Sequence, residues 1–316
     1  MPQNLFFFLN SKKHLMKKNN LKNNKIKTFF IDLPSLDEDI LKLIFNFLTT
    51  QRHIQISEKD CMQLKYVMKN GQIHVDVPVD ILKRKAIITK INFELSSETV
   101  LYEDDGIIVV NKPSGLPSQA TLDPTRDHLY AAVQRWVKKE AFLHHRLDFE
   151  TSGLVLFSKK RSLNKDIGDM FQYKTIQKTY MAIVAPMPRE KTTQFVVENN
   201  LAKMNQKILK IHSVKSGGDH AKTEFEFLQS NQQAGLIKAS PLTGRTHQIR
   251  VHLSEYGCPI VGDILYGGIP INPQRTMLHA FQLEFTHPIS HELMSITAPP
   301  PTDFAHCLQQ FGLRNV

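Results

Sequence analysis

His144-His145-Arg146-Leu147-Asp148-Phe149-Glu150-Thr151-Ser152-Gly153, followed at once by Leu154-Val155-Leu156-Phe157, is the segment from which the fold can be read outward. Two imidazoles, a guanidinium and two carboxylates fall within residues 144–150, and Thr-Ser-Gly closes them. Small polar residues and glycine let a loop hold tight geometry, and reactive groups commonly sit on loops carried by rigid strands. The unbroken apolar run at 154–157 predicts a strand buried on both faces. An ordinary Arg–Asp pair bracing a turn would leave the same composition, so the segment by itself keeps both readings open.

On the N-terminal side, Gly106–Asn111 predicts a short β-branched strand, and Lys112-Pro113-Ser114-Gly115 turns the chain sharply after it. Asp127–Val137 reads as a helix with Leu129, Val133, Trp136 and Val137 on one face. On the C-terminal side, Leu163, Ile167, Met170 and Phe171 mark an amphipathic helix, and Lys178–Ala185 a strand with Tyr180 at its middle. Ala221–Leu228 alternates strictly and is linked by Asn231–Gly235 to Leu236–Ser240 as a hairpin. His247–Tyr256 reads as a helix stopped by Gly257 with Pro259 beyond it. Antiparallel pairs mixed with a few helices predict an α+β fold rather than a doubly wound sheet.

Composition agrees with a folded body. The chain has 316 residues, 41% hydrophobic and 22% charged, enough apolar material for one large domain or two modest ones. No apolar run is long enough for a membrane span, and Leu5–Leu9 near the start is short and followed, not preceded, by lysines, so it does not read as a secretory signal. Cys61, Cys258 and Cys307 are far apart, which indicates neither a disulfide framework nor a zinc ribbon. A reduced, cytoplasmic protein without a metal or other cofactor is expected. The formal charge of +10 is unevenly placed. Residues 1–31 hold seven lysines and no Asp, Glu or Arg, leaving 33 basic against 30 acidic residues in the rest.

Three segments are therefore expected. Residues 1–32 read as a basic disordered tail, suited to non-specific attraction to phosphate or to simple solvation. Residues 33–97 read as a small N-terminal accessory unit: Ile40, Leu43, Ile44, Phe47 and Leu48 at helical spacing, a second helix over Glu58–Lys69 ended by Asn70-Gly71, then a strand over Gln72–Val79. That order resembles the small S-four-type RNA-binding domain, with an accessory α+β cap as the plainer reading. Residues 98–316 form the main domain.

A second constellation is Thr243-Gly244-Arg245-Thr246-His247-Gln248-Ile249-Arg250. Arginines and free backbone donors at a helix start suit an anion such as phosphate. A lone mid-strand tyrosine such as Tyr180 is by itself more often core than catalyst.

Taken in order, His145-Arg146-Leu147-Asp148…Thr151-Ser152-Gly153, Lys178-Thr179-Tyr180 and Gly244-Arg245-Thr246-His247-Gln248-Ile249-Arg250 resemble the motifs of RluA-type RNA pseudouridine synthases. Val110–Gly115, Ala221-Lys222-Thr223, Val261-Gly262-Asp263…Tyr266-Gly267 and Leu278-His279-Ala280 support the likeness, which spans about residues 100–300. The resemblance implies an isomerase acting on uridine in ribosomal or transfer RNA. It also implies a mixed, mostly antiparallel sheet beside an RNA-binding cleft, with no cofactor and no metal. It assigns Asp148 as the essential aspartate, Tyr180 as the ring against the target base and Arg245 as the ion-pair partner of Asp148. Arg146 is similar to the arginine that enters the space left by the extruded base. His145, Lys178, His247, Gln248 and Arg250 are expected to touch RNA. A monomer with no membrane association and no obligatory protein partner is expected. The rival is a catalytically silent RNA-binding or ribosome-assembly protein on the same fold, which would not need the aspartate. A zinc hydrolase is disfavoured, because the histidines lack a spacing such as His-Glu-x-x-His.

Overall fold

The computed structural model describes residues 26–32, 40, 41, 44, 47, 48, 56, 58–69, 72–78, 92–121, 123, 126–188, 192–204, 210–272 and 275–314. The chain divides into two compact units, residues 1–89 and 90–316. The division falls before the expected 97/98 border because Phe93–Leu95 are tied to the second unit. The Phe93 N–H donates to Asp127 (2.7 Å), its carbonyl accepts from Arg135 (2.7 Å), and Leu95 joins that unit's core.

In the first unit, β1 (Ile26–Asp32), α1 (Glu58–Cys61), β2 (Lys65–Lys69) and β3 (Gln72–Pro78) form a three-stranded antiparallel sheet of order β1-β3-β2 with a short helix. Ile73, Val75 and Val77 alternate into a small core with Ile44, Phe47 and Leu48. Two expectations are corrected here. The basic tail ends earlier than residue 32, since Ile26–Asp32 pair along the whole of β3. The helix expected over Glu58–Lys69 stops at Cys61, and Lys65-Tyr66-Val67-Met68-Lys69 is a strand. Its β-branched and aromatic centre favours extended backbone, and Lys69 pairs with Gln72; Asn70 and Gly71 lie outside the described residues. The segment before residue 26, Leu43 and Lys83–Lys90 lie outside the described residues.

The second unit contains β4 (Val100–Glu103), β5 (Ile107–Lys112), α2 (Leu129–Val137), β6 (Phe142–Leu143), β7 (Ser152–Ser158), α3 (Asn164–Gln172), β8 (Gln177–Val184), β9 (Gln194–Lys203), β10 (Ile211–Val214), β11 (Asp219–Ser230), β12 (Gly235–Pro241), α4 (Gln248–Glu255), β13 (Leu278–Thr286), β14 (Leu293–Thr297) and α5 (Thr302–Gln310). Its strands make an eleven-stranded sheet of order β10-β9-β11-β12-β8-β13-β7-β5-β4, with β14 beside β13 and β6 beside β7. Among the described pairs only β13–β7 is parallel, so the sheet is mixed and mostly antiparallel, as expected.

The apolar run at 154–157 explains the layering. Successive strand side chains point to opposite faces. Val155 and Phe157 pack with Ile108, Val110, Leu129 and Val133 under α2, while Leu154 and Leu156 pack with Ile107, Val109 and Ile167 under α3. All seven residues of β7 are buried. A third cluster packs Ile249 and Leu253 of α4 and Phe304 of α5 against β8 and β12. Truncating one such Leu to Ala costs about 2–5 kcal/mol. Trp136 departs from the expected core face, staying exposed and donating to Glu103 (2.8 Å). Among the described residues no helix is long and apolar enough to cross a membrane.

Candidate active site

The loop that carries Asp148 joins β6 to β7 and is held from three sides. The turn after β5 grips its backbone. Ser118 Oγ donates to the Leu147 carbonyl (2.9 Å) and accepts from its N–H (3.0 Å); the Gly115 N–H donates to Phe149 O (2.9 Å) and Ser114 Oγ to Glu150 O (2.7 Å). The wholly buried Lys112 donates to the Pro113, Leu116 and Phe149 carbonyls at 3.0, 2.8 and 3.3 Å. Burial pushes its pKa down to about 7 against the pull of Asp148. At the loop's exit Gly153 has φ +112, and a Cβ there would lie 2.2 Å from the Ala280 carbonyl oxygen, so only glycine lets β7 reach β13. Beneath, Ser152 Oγ bonds His279 Nδ1 (2.9 Å) and accepts from Arg275 (3.1 Å), whose other arm pairs with Asp303. Glu150 points away to the Thr276 N–H (3.2 Å) and hydroxyl.

The partner of the Asp148 carboxylate is Arg250. Its Nη1 donates to Asp148 Oδ2 at 3.0 Å, while Nε and Nη2 close a two-bond pair with Asp263 at 2.7 and 2.8 Å. Arg250 is 8% exposed and Asp263 1%. Burial works against the guanidinium charge, but Asp263 and Asp148 outweigh it and raise its pKa. The Tyr266 ring lies 5.0 Å from this guanidinium. A second group reaches the same oxygen, with His247 Nε2 3.9 Å from Asp148 Oδ2.

The expected Arg245–Asp148 pair is therefore corrected. Arg245 stands before the start of α4, where its Nε donates to the His220 carbonyl (3.1 Å) and its Nη1 lies 3.9 Å from Asp219. Arg250, one turn into α4, faces inward because Ile249 and Leu253 fix the helix's core side. Gln248, expected to touch RNA, is a buried brace instead. Its Oε1 accepts from Thr243 (2.6 Å) and the Arg245 N–H (3.0 Å), and its Nε2 donates to Lys222 O (3.0 Å) and Thr223 (2.9 Å), filling every position an amide offers. His145 accepts from the Leu156 N–H (3.0 Å) and packs on Phe171; burial holds its pKa down to about 3, so it is neutral.

A cleft of about 1830 Å³ opens over this loop and is lined by Arg146, Asp148, Lys178, Tyr180, Arg245 and His247, among others. Arg146 is an exposed part of that lining. Tyr180 lies mid-strand between two core clusters; burial, and secondarily Asp148, raise its pKa, so the phenol is protonated at neutral pH. Lys178 lies beside Gly244, its pKa lowered by burial and then by Lys174.

Asp148, bonded to the buried Arg250, thus shares one cleft with Tyr180. Residues 106–255 match the family described as RNA pseudouridylate synthase. The Vibrio parahaemolyticus protein named ribosomal large subunit pseudouridine synthase C is 34% identical over 278 residues, covering 83% of this chain and 85% of its own length. This chain belongs to the RNA pseudouridine synthase family. Its Escherichia coli K12 relative of the same name is 36% identical over 235 residues, covering 69% of this chain and 71% of the relative. The solved structure of human RNA pseudouridylate synthase domain containing 4 superposes with a TM-score of 0.56 at 26% identity, over 69% of this chain and 95% of that one.

A pseudouridine synthase is an isomerase and carries the mixed, mostly antiparallel sheet found here. Two further residues of this synthase belong to the site's geometry, Asp263 through Arg250 and Tyr266 through His247. Their signal in the sequence is the Gly262–Gly267 turn, whose glycines at φ +82 and +84 bracket an acid and a phenol. The turn's contacts with α4 arise only in three dimensions.

Proposed function

We propose that this synthase converts uridine to pseudouridine in large-subunit ribosomal RNA, with Asp148 as the essential carboxylate. The observation that carries the reading is Asp148, partly exposed to the cleft, with one oxygen pinned by the buried Arg250. The names of the bacterial relatives support the ribosomal substrate.

The reaction breaks the bond between the ribose anomeric carbon C1′ and uracil N1, turns the base and joins C1′ to C5; the proton leaving C5 is balanced by one taken up at N1. Positive charge develops on the sugar as N1 leaves, as in glycoside hydrolysis, so an ionised carboxylate beside C1′ is the natural catalyst. Burial alone would favour a neutral acid; the permanent charge of Arg250 opposes this and aims the carboxylate. Because Asp263 already occupies two of the Arg250 donors, Asp148 receives a single hydrogen bond and keeps Oδ1 for the substrate. The Tyr180 ring stacks on the uracil, and its protonated hydroxyl suits donation rather than proton removal. Arg146, at the cleft surface, takes the space of the extruded base. Flipping a paired uridine costs a few kcal/mol, which favours loops and single strands. Lys178 and Arg245 supply positive charge toward the backbone.

In this reading the enzyme works in the cytoplasm as a monomer without an obligatory protein partner; sedimentation of the purified chain at the mass of one protomer checks the oligomeric state. Mapping pseudouridines in large-subunit ribosomal RNA from cells with and without the gene tests the function. At least one site should vanish on deletion and return with the wild-type gene, whereas an unchanged map contradicts the assignment.

A further inference from the structure

His247, expected from the sequence to touch RNA, has a neighbour at each ring nitrogen. Its backbone is left-handed (φ +55) at the residue that caps the start of α4. Its Nδ1 lies 2.8 Å from the Tyr266 hydroxyl, with the rings edge to face at 86°. The same hydroxyl accepts the Ile211 N–H at 2.9 Å. The phenol proton therefore needs another acceptor, and among the described residues His247 Nδ1 is the one in reach. Were Nδ1 protonated instead, both ring and backbone would donate to the phenol oxygen, leaving a buried O–H with nothing to receive it. The consistent arrangement runs Ile211 N–H to Tyr266 Oη, and Tyr266 O–H to His247 Nδ1. The proton of the neutral imidazole is then on Nε2, which lines the cleft 3.9 Å from Asp148 Oδ2. Burial lowers the His247 pKa despite the opposing pull of Asp148, in keeping with a neutral ring.

We propose that Tyr266 locks His247 as the Nε2–H tautomer, making it a neutral donor beside Asp148 that meets an acceptor oxygen of the target nucleotide. The chemistry favours a uracil carbonyl. As the C1′–N1 bond opens, negative charge spreads over the base, and a preorganised N–H aimed at that charge lowers the barrier without neutralising the carboxylate. The ribose 2′-hydroxyl is the other oxygen near C1′. In this scheme His247 touches substrate and Tyr266 is a positioning residue. The inference rests on the reading of Asp148 as the essential carboxylate.

Two substitutions separate donor from scaffold. Gln places its amide where Nε2 stands, whereas Asn places it near Nδ1 but tolerates left-handed backbone better. If His247 serves only the turn, His247→Asn should be the milder change. If it serves as the Nε2 donor, His247→Gln should be faster in single-turnover assays on a large-subunit ribosomal RNA transcript, by about tenfold or more over His247→Asn and His247→Ala. Nitrogen-15 spectra of histidine-labelled protein give a readout independent of activity. The wild type should show His247 as Nε2–H, and Tyr266→Phe should show a mixture of tautomers. Single-turnover assays of the same variants on that transcript carrying 2′-deoxyuridine at the target identify the oxygen. A Gln-over-Asn advantage that persists supports the uracil carbonyl, and one that disappears supports the ribose hydroxyl. An Nδ1–H signal in the wild type, or Asn matching or exceeding Gln on the unmodified transcript, overturns the proposal. Neither result touches the role of Asp148, which fails only if the wild type is inactive or Asp148→Asn is active.

Discussion

Arg250 and Asp148 stand 102 positions apart in the chain and 3.0 Å apart in the folded protein. The guanidinium is shared, with two of its donors held by the buried Asp263 and one left for the carboxylate at the cleft. This division aims Asp148 without closing both of its oxygens.

Arg250→Lys should therefore be severe and Arg245→Lys mild. Lysine keeps the charge but cannot reach Asp263 by two bonds and Asp148 by a third. Single-turnover rates should fall about tenfold or more for Arg250→Lys, equivalent to about 1.4 kcal/mol of barrier. Arg245→Lys should stay within a few-fold of wild type, since its contacts are a carbonyl and a distant exposed carboxylate. The reverse order would mean that the pairing seen here does not govern the chemistry.

Gln248→Leu should unfold the site rather than weaken its grip on RNA. The change strands the Thr243 O–H and the Arg245 N–H, whereas Thr223 keeps His252 and Lys222 O keeps the Leu242 N–H; each buried group left without a partner costs about 1–3 kcal/mol. Urea midpoints should drop with an unchanged slope, and RNA affinity of the folded fraction should hold. Stability equal to wild type together with lost affinity would return Gln248 to the RNA surface.

Gly153→Ala and Gly115→Ala form a matched pair. Both glycines have positive φ, +112 and +79, but a Cβ meets the Ala280 backbone only at Gly153 and nothing within 4 Å at Gly115. Gly115→Ala should cost about 1 kcal/mol of backbone strain, and Gly153→Ala about 3 kcal/mol or more, because β7 and β13 must part. Thermal melts check the difference, and equal losses would show that the close approach does not matter.

Much of this architecture was legible in advance. The apolar run at 154–157 announced a strand buried on both faces, and Gly257 ended its helix as expected, because both depend on local pattern. What was not legible depends on distance. Arg245 and Arg250 are equally basic residues at one helix start, and only the packing of Ile249 and Leu253 decides that Arg250 points inward. Gln248 reads as a polar contact residue because nothing local shows the four partners that its buried amide meets. β9 has little local signal, because its Gln-Phe-Val-Val-Glu-Asn-Asn stretch carries weak alternation and is defined by pairing with β10 and β11. Lys65–Lys69 reads as helix from the sequence because Asn-Gly is a signal of helix ends and of hairpins alike.

Asp127 gives a pH-dependent test of the second unit's N-terminal anchor. Burial raises its pKa, but bonds from Arg135 and from the Phe93 and His128 backbone outweigh this and hold it at about 2. A depressed carboxyl pKa stabilises the fold above the unfolded value and loses that contribution as pH falls toward the folded one. Asp127→Asn should therefore cost about 2 kcal/mol at neutral pH, with the gap to wild type closing between about pH 4 and 2. A gap constant across that range would show that the charge contributes nothing.

The most direct test of the central claim is single-turnover pseudouridine formation by Asp148→Asn beside the wild type, with RNA affinity measured for both. Asparagine preserves size and can still accept from Arg250, so fold and binding should survive, while the negative charge facing the sugar is lost. No detectable product, with affinity within a few-fold of wild type, is the predicted result. Substantial isomerisation by the Asn variant would contradict the assignment of Asp148 and the mechanism built on it.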